Sequence, residues 1–216
     1  MLFTRRKSTS ATVDNRPGSS GEHSLQEADG TRKRADRFYD EQMADELNEN
    51  MREFVGRMEM AFVATSDAHG NCDSTFRAGP AGFVRVLGES TIGWPEYRGN
   101  GVMASVGNIT ENGHVGVLFV DFFQDLVGLH VNGAARLVDA DEFALMHPDE
   151  VTPNEIPGRR PERWVVVDVH EAYIHCSKHV PKMKQVPRTR EWGTDDKRKK
   201  GGDAFGVAAQ RKACET

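Results

Sequence analysis

The chain has 216 residues, 38% hydrophobic and 28% charged, with a formal net charge of −5. That length holds one domain with a sizeable core, and the acidic balance gives no electrostatic case for nucleic-acid binding by the domain as a whole. No apolar run approaches the roughly 20 residues that span a bilayer, and Cys72, Cys176 and Cys214 form neither a disulfide framework nor a CxxC pair, so the expectation is a cytoplasmic protein of a reducing compartment with no membrane partner.

Residues 1–35 are rich in Ser, Gly, Thr, Arg and Asp and are expected to form a flexible N-terminal arm. Residues 1–7, MLFTRRK, lack a following apolar core and are not read as a secretory signal. A mean hydropathy of −0.59 agrees with polar ends around a more apolar middle. Asp36 is placed to cap a helix over about 37–58, where Phe38, Leu47, Met51, Phe54, Val55 and Met58 fall mainly on one face. Short strands follow at 60–65 and 73–77, joined by a turn at Asp67-Ala68-His69-Gly70-Asn71. A second hairpin is expected from 82–87 and 90–94 around Gly88-Glu89, then a helix over about 100–109. Strands at 115–122, 128–138 and 164–174 complete the core, with a polar connection at 139–161 that holds a short helix near 142–146 and the prolines Pro148, Pro153 and Pro157. This order suits a mainly β, α+β architecture: a six- to seven-stranded antiparallel barrel with one helix in front and one short helix inserted. The expected organisation is an arm at 1–35, a barrel domain at 36–180 and a C-terminal extension at 181–216, whose charged run 195–200 reads as solvated tail.

The segment 77–108 carries the densest functional signal. Gly79, Gly82, Gly99 and Gly101 permit close backbone approach or positive φ, and Arg77, Arg85 and Arg98 sit among them. Backbone amides where a helix begins, with guanidinium groups nearby, suit a phosphate, and Trp94-Pro95-Glu96-Tyr97 adds flat aromatic surface. An ordinary glycine-turned hairpin explains the same spacing. A second cluster, His175-Cys176-Ser177-Lys178-His179, admits metal ligation, an activated thiolate or simply the end of the last strand. His130 lies on the opposite strand face from Leu129 and Val131, towards a cleft or water.

Several runs carry a wider likeness: Arg77-Ala78-Gly79-Pro80, Gly82-Phe83-Val84-Arg85-Val86, Pro95-Glu96-Tyr97-Arg98-Gly99-Asn100-Gly101, Gly128-Leu129-His130-Val131-Asn132-Gly133-Ala134, Ala172 to His179, and Glu191-Trp192-Gly193-Thr194-Asp195-Asp196. Over roughly residues 21–207 the chain resembles the pyridoxamine 5′-phosphate oxidase-like family of FMN-binding split barrels, within a subgroup of uncharacterised flavin-binding proteins. The resemblance implies a flavin-dependent oxidoreductase with FMN as cofactor, FAD or a deazaflavin being the lesser alternatives, and a small organic substrate. It implies a homodimer with the flavin at the subunit interface. Carried over by position, the cofactor-binding residues are Arg77, Gly82, Phe83, Val84, Arg85, Trp94, Pro95, Arg98 and Asn100, with Arg77 or Arg98 on the phosphate. Phe83 and Val84 then present backbone to the ring, and Trp94 flanks the ring or ribityl chain. No metal site and no catalytic side chain is implied. The family's oxidases carry Ser-Arg-Lys where this chain has Gly99-Asn100-Gly101, and they end in an arginine-rich signature not found here. The resemblance therefore speaks for flavin binding and against pyridoxamine phosphate oxidation. A non-catalytic flavin- or heme-binding or sensing module on the same fold is the alternative.

Overall fold

The structure, a computed structural model, describes residues 16–151, 156 and 158–215. The first part of the expected arm, and Pro153 and Pro157 of the polar connection, lie outside the described residues. The chain divides into two compact units, Met1–Met43 and Ala44–Thr216. In the first unit, α1 (Ser20–Ala28) opens on a capping box: the Ser19 side chain accepts from the Glu22 amide while the Glu22 carboxylate accepts from the Ser19 amide. After a turn comes α2 (Arg32–Gln42), joined to α1 by a hydrogen bond of 2.8 Å from Gln26 Nε2 to Tyr39 Oη. Neither helix has a buried residue. Residues 20–35 of the expected arm are thus largely helical, because a local cap outweighs the loop-like composition.

β1 (Met43–Ala44) lies at the junction of the units. The expected single helix over 37–58 is interrupted, and α3 (Glu49–Arg57) begins anew at Asn48. The Asn48 side chain accepts from the Met51 amide at 3.0 Å, an N-cap that competes with helix continuation. Leu47 enters the core as a loop residue, fully buried, its amide donating to the Glu89 carbonyl at 2.7 Å. The apolar stripe therefore belongs to Leu47 and to one face of α3, on which Val55 is buried and Met51 and Phe54 pack against the core.

The strands are β2 (Met60–Ser66), β3 (Cys72–Ala78), β4 (Arg85–Val86), β5 (Thr91–Tyr97), β6 (His114–Val120), β7 (Gly128–Asp139) and β8 (Pro161–His175). They pair antiparallel in the order β3-β2-β6-β7-β8-β5-β4, in a sheet of eight strands when β1 is included. The end strands β3 and β4 are not paired with each other, so the barrel is split, as expected from the sequence, with one strand more than anticipated. The β2–β3 turn is closed by Asp67, whose carboxylate accepts from the His69 and Asn71 amides at 2.9 Å each. The expected strand over 82–87 is shorter. Phe83 donates to the Pro80 carbonyl at 2.9 Å, and Gly82, at φ 73°, lies so near α3 that an added Cβ would be 2.8 Å from the Gly56 oxygen. Only Arg85 and Val86 remain to pair with β5.

The next expected helix starts later than about residue 100. The Asn100 side chain accepts from the Val102 amide at 2.9 Å, which holds 99–103 as a loop until α4 (Ala104–Glu111). β6 stops at Val120 because Asp121 takes the Phe123, Gln124 and Asp125 amides. The long β7–β8 pairing is broken once, at Asn132/Gly133, where any Cβ on Gly133 would overlap the Asp168 carbonyl. The main core joins α3, β2, β5, β6, β7 and β8 through residues such as Val55, Trp94, Phe119 and Val167. A smaller cluster forms where Phe143 of α5 (Ala140–Met146) stacks on Trp164 at 3.8 Å between ring centroids, beside Val138 and Val166. Residues 180–206 carry no helix or strand, yet Met183 donates to the Phe122 carbonyl at 2.7 Å and Arg190 to the Gly79 carbonyl at 3.2 Å; α6 (Val207–Cys214) follows.

Candidate functional site

A cleft of about 540 Å³ opens beside β3. Its walls are Asp73–Ala78 of β3, Pro95–Tyr97 at the end of β5, the loop 99–103, the first turn of α4, Glu162 and Arg163 of β8, and Trp192. β3 is an edge strand with β2 as its one partner in the sheet order, which leaves its other side open to the cleft. The first turn of α4 has no side-chain cap, and its N-cap, Met103, adopts φ 60°. A non-glycine residue in that region is uncommon, and such strain clusters at binding sites.

Four of the nine cofactor-binding residues carried over by position line this cleft, Arg77, Phe83, Pro95 and Asn100, together with Gly99 and Gly101. The others lie elsewhere. Arg85 lines a neighbouring cavity of about 400 Å³ and donates to the Gly82 and Glu150 carbonyls at 2.7 and 3.1 Å. Arg98 lines a third pocket and pairs with Asp195. Val84 and Trp94 are core residues, each 1% exposed, and Gly82 packs on α3.

The cleft also gathers residues outside that cofactor-binding set. Glu96 accepts from Arg77 Nε at 2.8 Å and from Trp94 Nε1 at 2.9 Å, while Arg77 Nη1 donates to Thr75 Oγ1 at 2.7 Å. Ser105, in the first turn of α4, donates to Asp73 at 3.0 Å. Arg163 is half-buried and has no side-chain hydrogen bond or ion pair among the described residues. Trp192 stands edge-on to Tyr97 at 5.2 Å and 70°, with the Arg159 guanidinium 5.9 Å from the indole. Burial raises the Tyr97 pKa above its usual 10.0 against the opposing pull of Arg159 and Arg85, so the phenol remains a neutral donor at ordinary pH. Trp192 reaches the cleft because Gly193 and Gly158 meet backbone to backbone, where an added Cβ on Gly193 would be 2.8 Å from Gly158 Cα. Glu96 had a signal, its place between Pro95 and Tyr97. Trp192 had only its place in the tail motif, and Arg163 had none, since it looks like any polar residue at a strand start.

His130 does not line this cleft. On the outer face of the sheet it stacks on Tyr173 at 4.7 Å, and its Nε2 lies 3.1 Å from His175 Nδ1. Burial and the neighbouring His175 lower the His130 pKa from 6.5, against Glu171. Cys176 is exposed, and no group of three or more His, Cys, Asp or Glu is placed to hold a metal among the described residues. Among them, too, no helix is long and apolar enough to cross a membrane.

Residues 47–176 match the family model described as Pyridoxamine 5′-phosphate oxidase. No curated protein sequence matches the chain. Among solved structures, HupZ of Group A Streptococcus is 18% identical, covering 64% of this chain and 99% of its own, with a TM-score of 0.43. An FMN-binding protein from Syntrophomonas wolfei is 12% identical, covering 68% and 96%, with a TM-score of 0.44. HutZ, the heme storage protein of Vibrio cholerae, is 13% identical, covering 60% and 93%, with a TM-score of 0.39.

Proposed function

This chain belongs to the pyridoxamine 5′-phosphate oxidase family, and from that premise we propose that its cleft beside β3 binds a flavin, FMN in the first instance, in an oxidoreductase acting on a small organic substrate. The observation that carries the reading is that the glycine- and arginine-bearing stretch from Arg77 to Ser105 supplies most of one cleft within the matched residues. The donor set suits the cofactor: Phe83, Tyr97 and Trp192 offer aromatic walls, Ser74 and Thr75 offer hydroxyls, and Arg163 offers a cation. When bound, the flavin would supply hydride or electron transfer. The chain's own residues have the simpler tasks of orienting and enclosing. Glu96 fixes Arg77, Tyr97 donates as a neutral phenol, and Trp192 screens one side from water. Pyridoxamine phosphate oxidation itself is not proposed.

The dimer belongs to the same proposal. Phe76, Phe62, Leu118, His130 and Tyr173 stand opposite one another in register across five strands on the outer face, with Phe76 52% and Phe62 37% exposed. The next row holds small residues, Ser74, Ala64 and Gly116, which permit close approach of a second copy. Phe76 also lines the cleft, so a subunit seated on this face would border the ligand. The three exposed free cysteines suit a reducing compartment such as the cytoplasm.

A non-catalytic flavin- or heme-binding module is the second reading, favoured by the His130–His175 pair. The test is the visible spectrum of purified protein, then titration with FMN, FAD, a deazaflavin and hemin. Quenched flavin fluorescence and reduction of the bound flavin by a nicotinamide donor are expected. Binding without reduction selects the carrier, a Soret band selects heme, and a colourless protein that binds none overturns the flavin reading.

A further inference from the structure

We infer that Arg163 is the residue that receives the phosphate monoester of the ligand in the cleft, an assignment that rests on the flavin reading above. Two arginines line the cleft, Arg77 and Arg163. Arg77 is already committed: Glu96 and Thr75 accept from it at 2.8 and 2.7 Å. Glu96 is only 12% exposed at its side chain, so turning Arg77 towards a ligand would leave a poorly solvated carboxylate with the Trp94 indole as its remaining partner. Arg85 and Arg98 lie outside the cleft and are held by the Gly82 and Glu150 carbonyls and by Asp195. The α4 N-terminus has favourable amides, but the Asp73 carboxylate is bound there by Ser105 at 3.0 Å and repels a second anion.

Among the described residues, Arg163 has no hydrogen-bond or ion-pair partner and no competing role. It lies in the long β8 strand, in register between Glu96 of β5 and Asp139 of β7, and neither carboxylate is within ion-pair distance of it. Arg163 is half-buried as a residue and lines the cleft, where a bound anion is screened less than in open solvent, and its planar fork suits two phosphate oxygens at once. Tyr97 and Trp192 line the same cleft, so a flat ring and an anion can be held together. Carried over by position, the phosphate falls to Arg77 or Arg98; the pairing of the first with Glu96 and the place of the second outside the cleft point to β8 instead.

The test uses the full chain and reads binding, not turnover. FMN and riboflavin, which differ by the phosphate, are titrated by flavin fluorescence into wild type, Arg163→Gln, Arg163→Lys and Arg77→Gln. A charge-assisted contact predicts FMN tighter than riboflavin by roughly tenfold or more in wild type. Arg163→Gln should collapse that ratio with riboflavin affinity unchanged, Arg163→Lys should restore part of it, and Arg77→Gln should keep it. A ratio kept in Arg163→Gln and lost in Arg77→Gln overturns the assignment. A second arm is independent of flavin: the thermal shift produced by inorganic phosphate. If no flavin binds wild type, the flavin reading fails by itself. A phosphate shift lost in Arg163→Gln then still supports the anion site, and a shift that is absent or unchanged overturns it.

Discussion

Asp121 ends a strand and starts a turn with one carboxylate. It accepts the Phe123, Gln124 and Asp125 amides at 2.9, 3.0 and 3.1 Å while 5% exposed. Removing it leaves three amides of a part-buried turn without their charged acceptor, so Asp121→Ala should cost about 2 kcal/mol, seen as a lower urea midpoint. Gly133 is constrained in another way, by the Asp168 carbonyl it nearly touches. Gly133→Ala must shift the β7–β8 bulge and should likewise cost about 3 kcal/mol by the same measurement. His130 makes stability depend on pH. Burial first, and then His175, lower its pKa below 6.5, so the folded chain resists a proton that the unfolded chain accepts. The stability His130 contributes is present above pH 6.5 and is lost as pH falls through the lowered folded value. Urea midpoints followed downwards from pH 6.5 should therefore fall less steeply in His130→Gln than in wild type.

At the scale of elements, the helices show why their limits differ from the periodic pattern. A stripe of apolar residues says which face is buried but not where the backbone breaks. Asn48 decides the start of α3 and Asn100 delays α4, each by a side chain that accepts a backbone amide within the next three residues. Asn48→Ala should lower stability by about 1 kcal/mol, with the urea midpoint reduced and the slope unchanged. The strands were more legible. Their alternation of buried and exposed residues is plain along β2 and β6, and the Asp67–Asn71 turn carries its own hydrogen bonds. Positive φ at Gly82 suits both a ligand-hugging strand and a close helix contact, and in the structure Gly82 lies against Gly56.

For the whole molecule, the proposed dimer rests on the outer sheet face. If Phe76, Phe62, Leu118, His130 and Tyr173 meet a second copy, Phe62→Asp should yield a monomer in sedimentation velocity with an unchanged far-UV spectrum. Because Phe76 belongs to both the row and the cleft, the same variant should also weaken FMN binding. A Phe62→Asp protein that keeps the wild-type sedimentation coefficient would remove this face from consideration.

The sequence by itself determined the antiparallel strands, the hairpin turns, the family and the stretch that builds most of the cleft. These follow from alternation, turn residues and motifs a few residues long, which act through local hydrogen bonds and burial. Only the tertiary structure decided which charges are free to meet a ligand. Arg77 is cancelled by Glu96, 19 residues on, and Arg98 by Asp195, 97 residues on. Arg163 and Trp192 join the cleft from β8 and the C-terminal tail. Charge pairing depends on distance in space and on the desolvation of each partner, and neither is written in the spacing of residues along the chain.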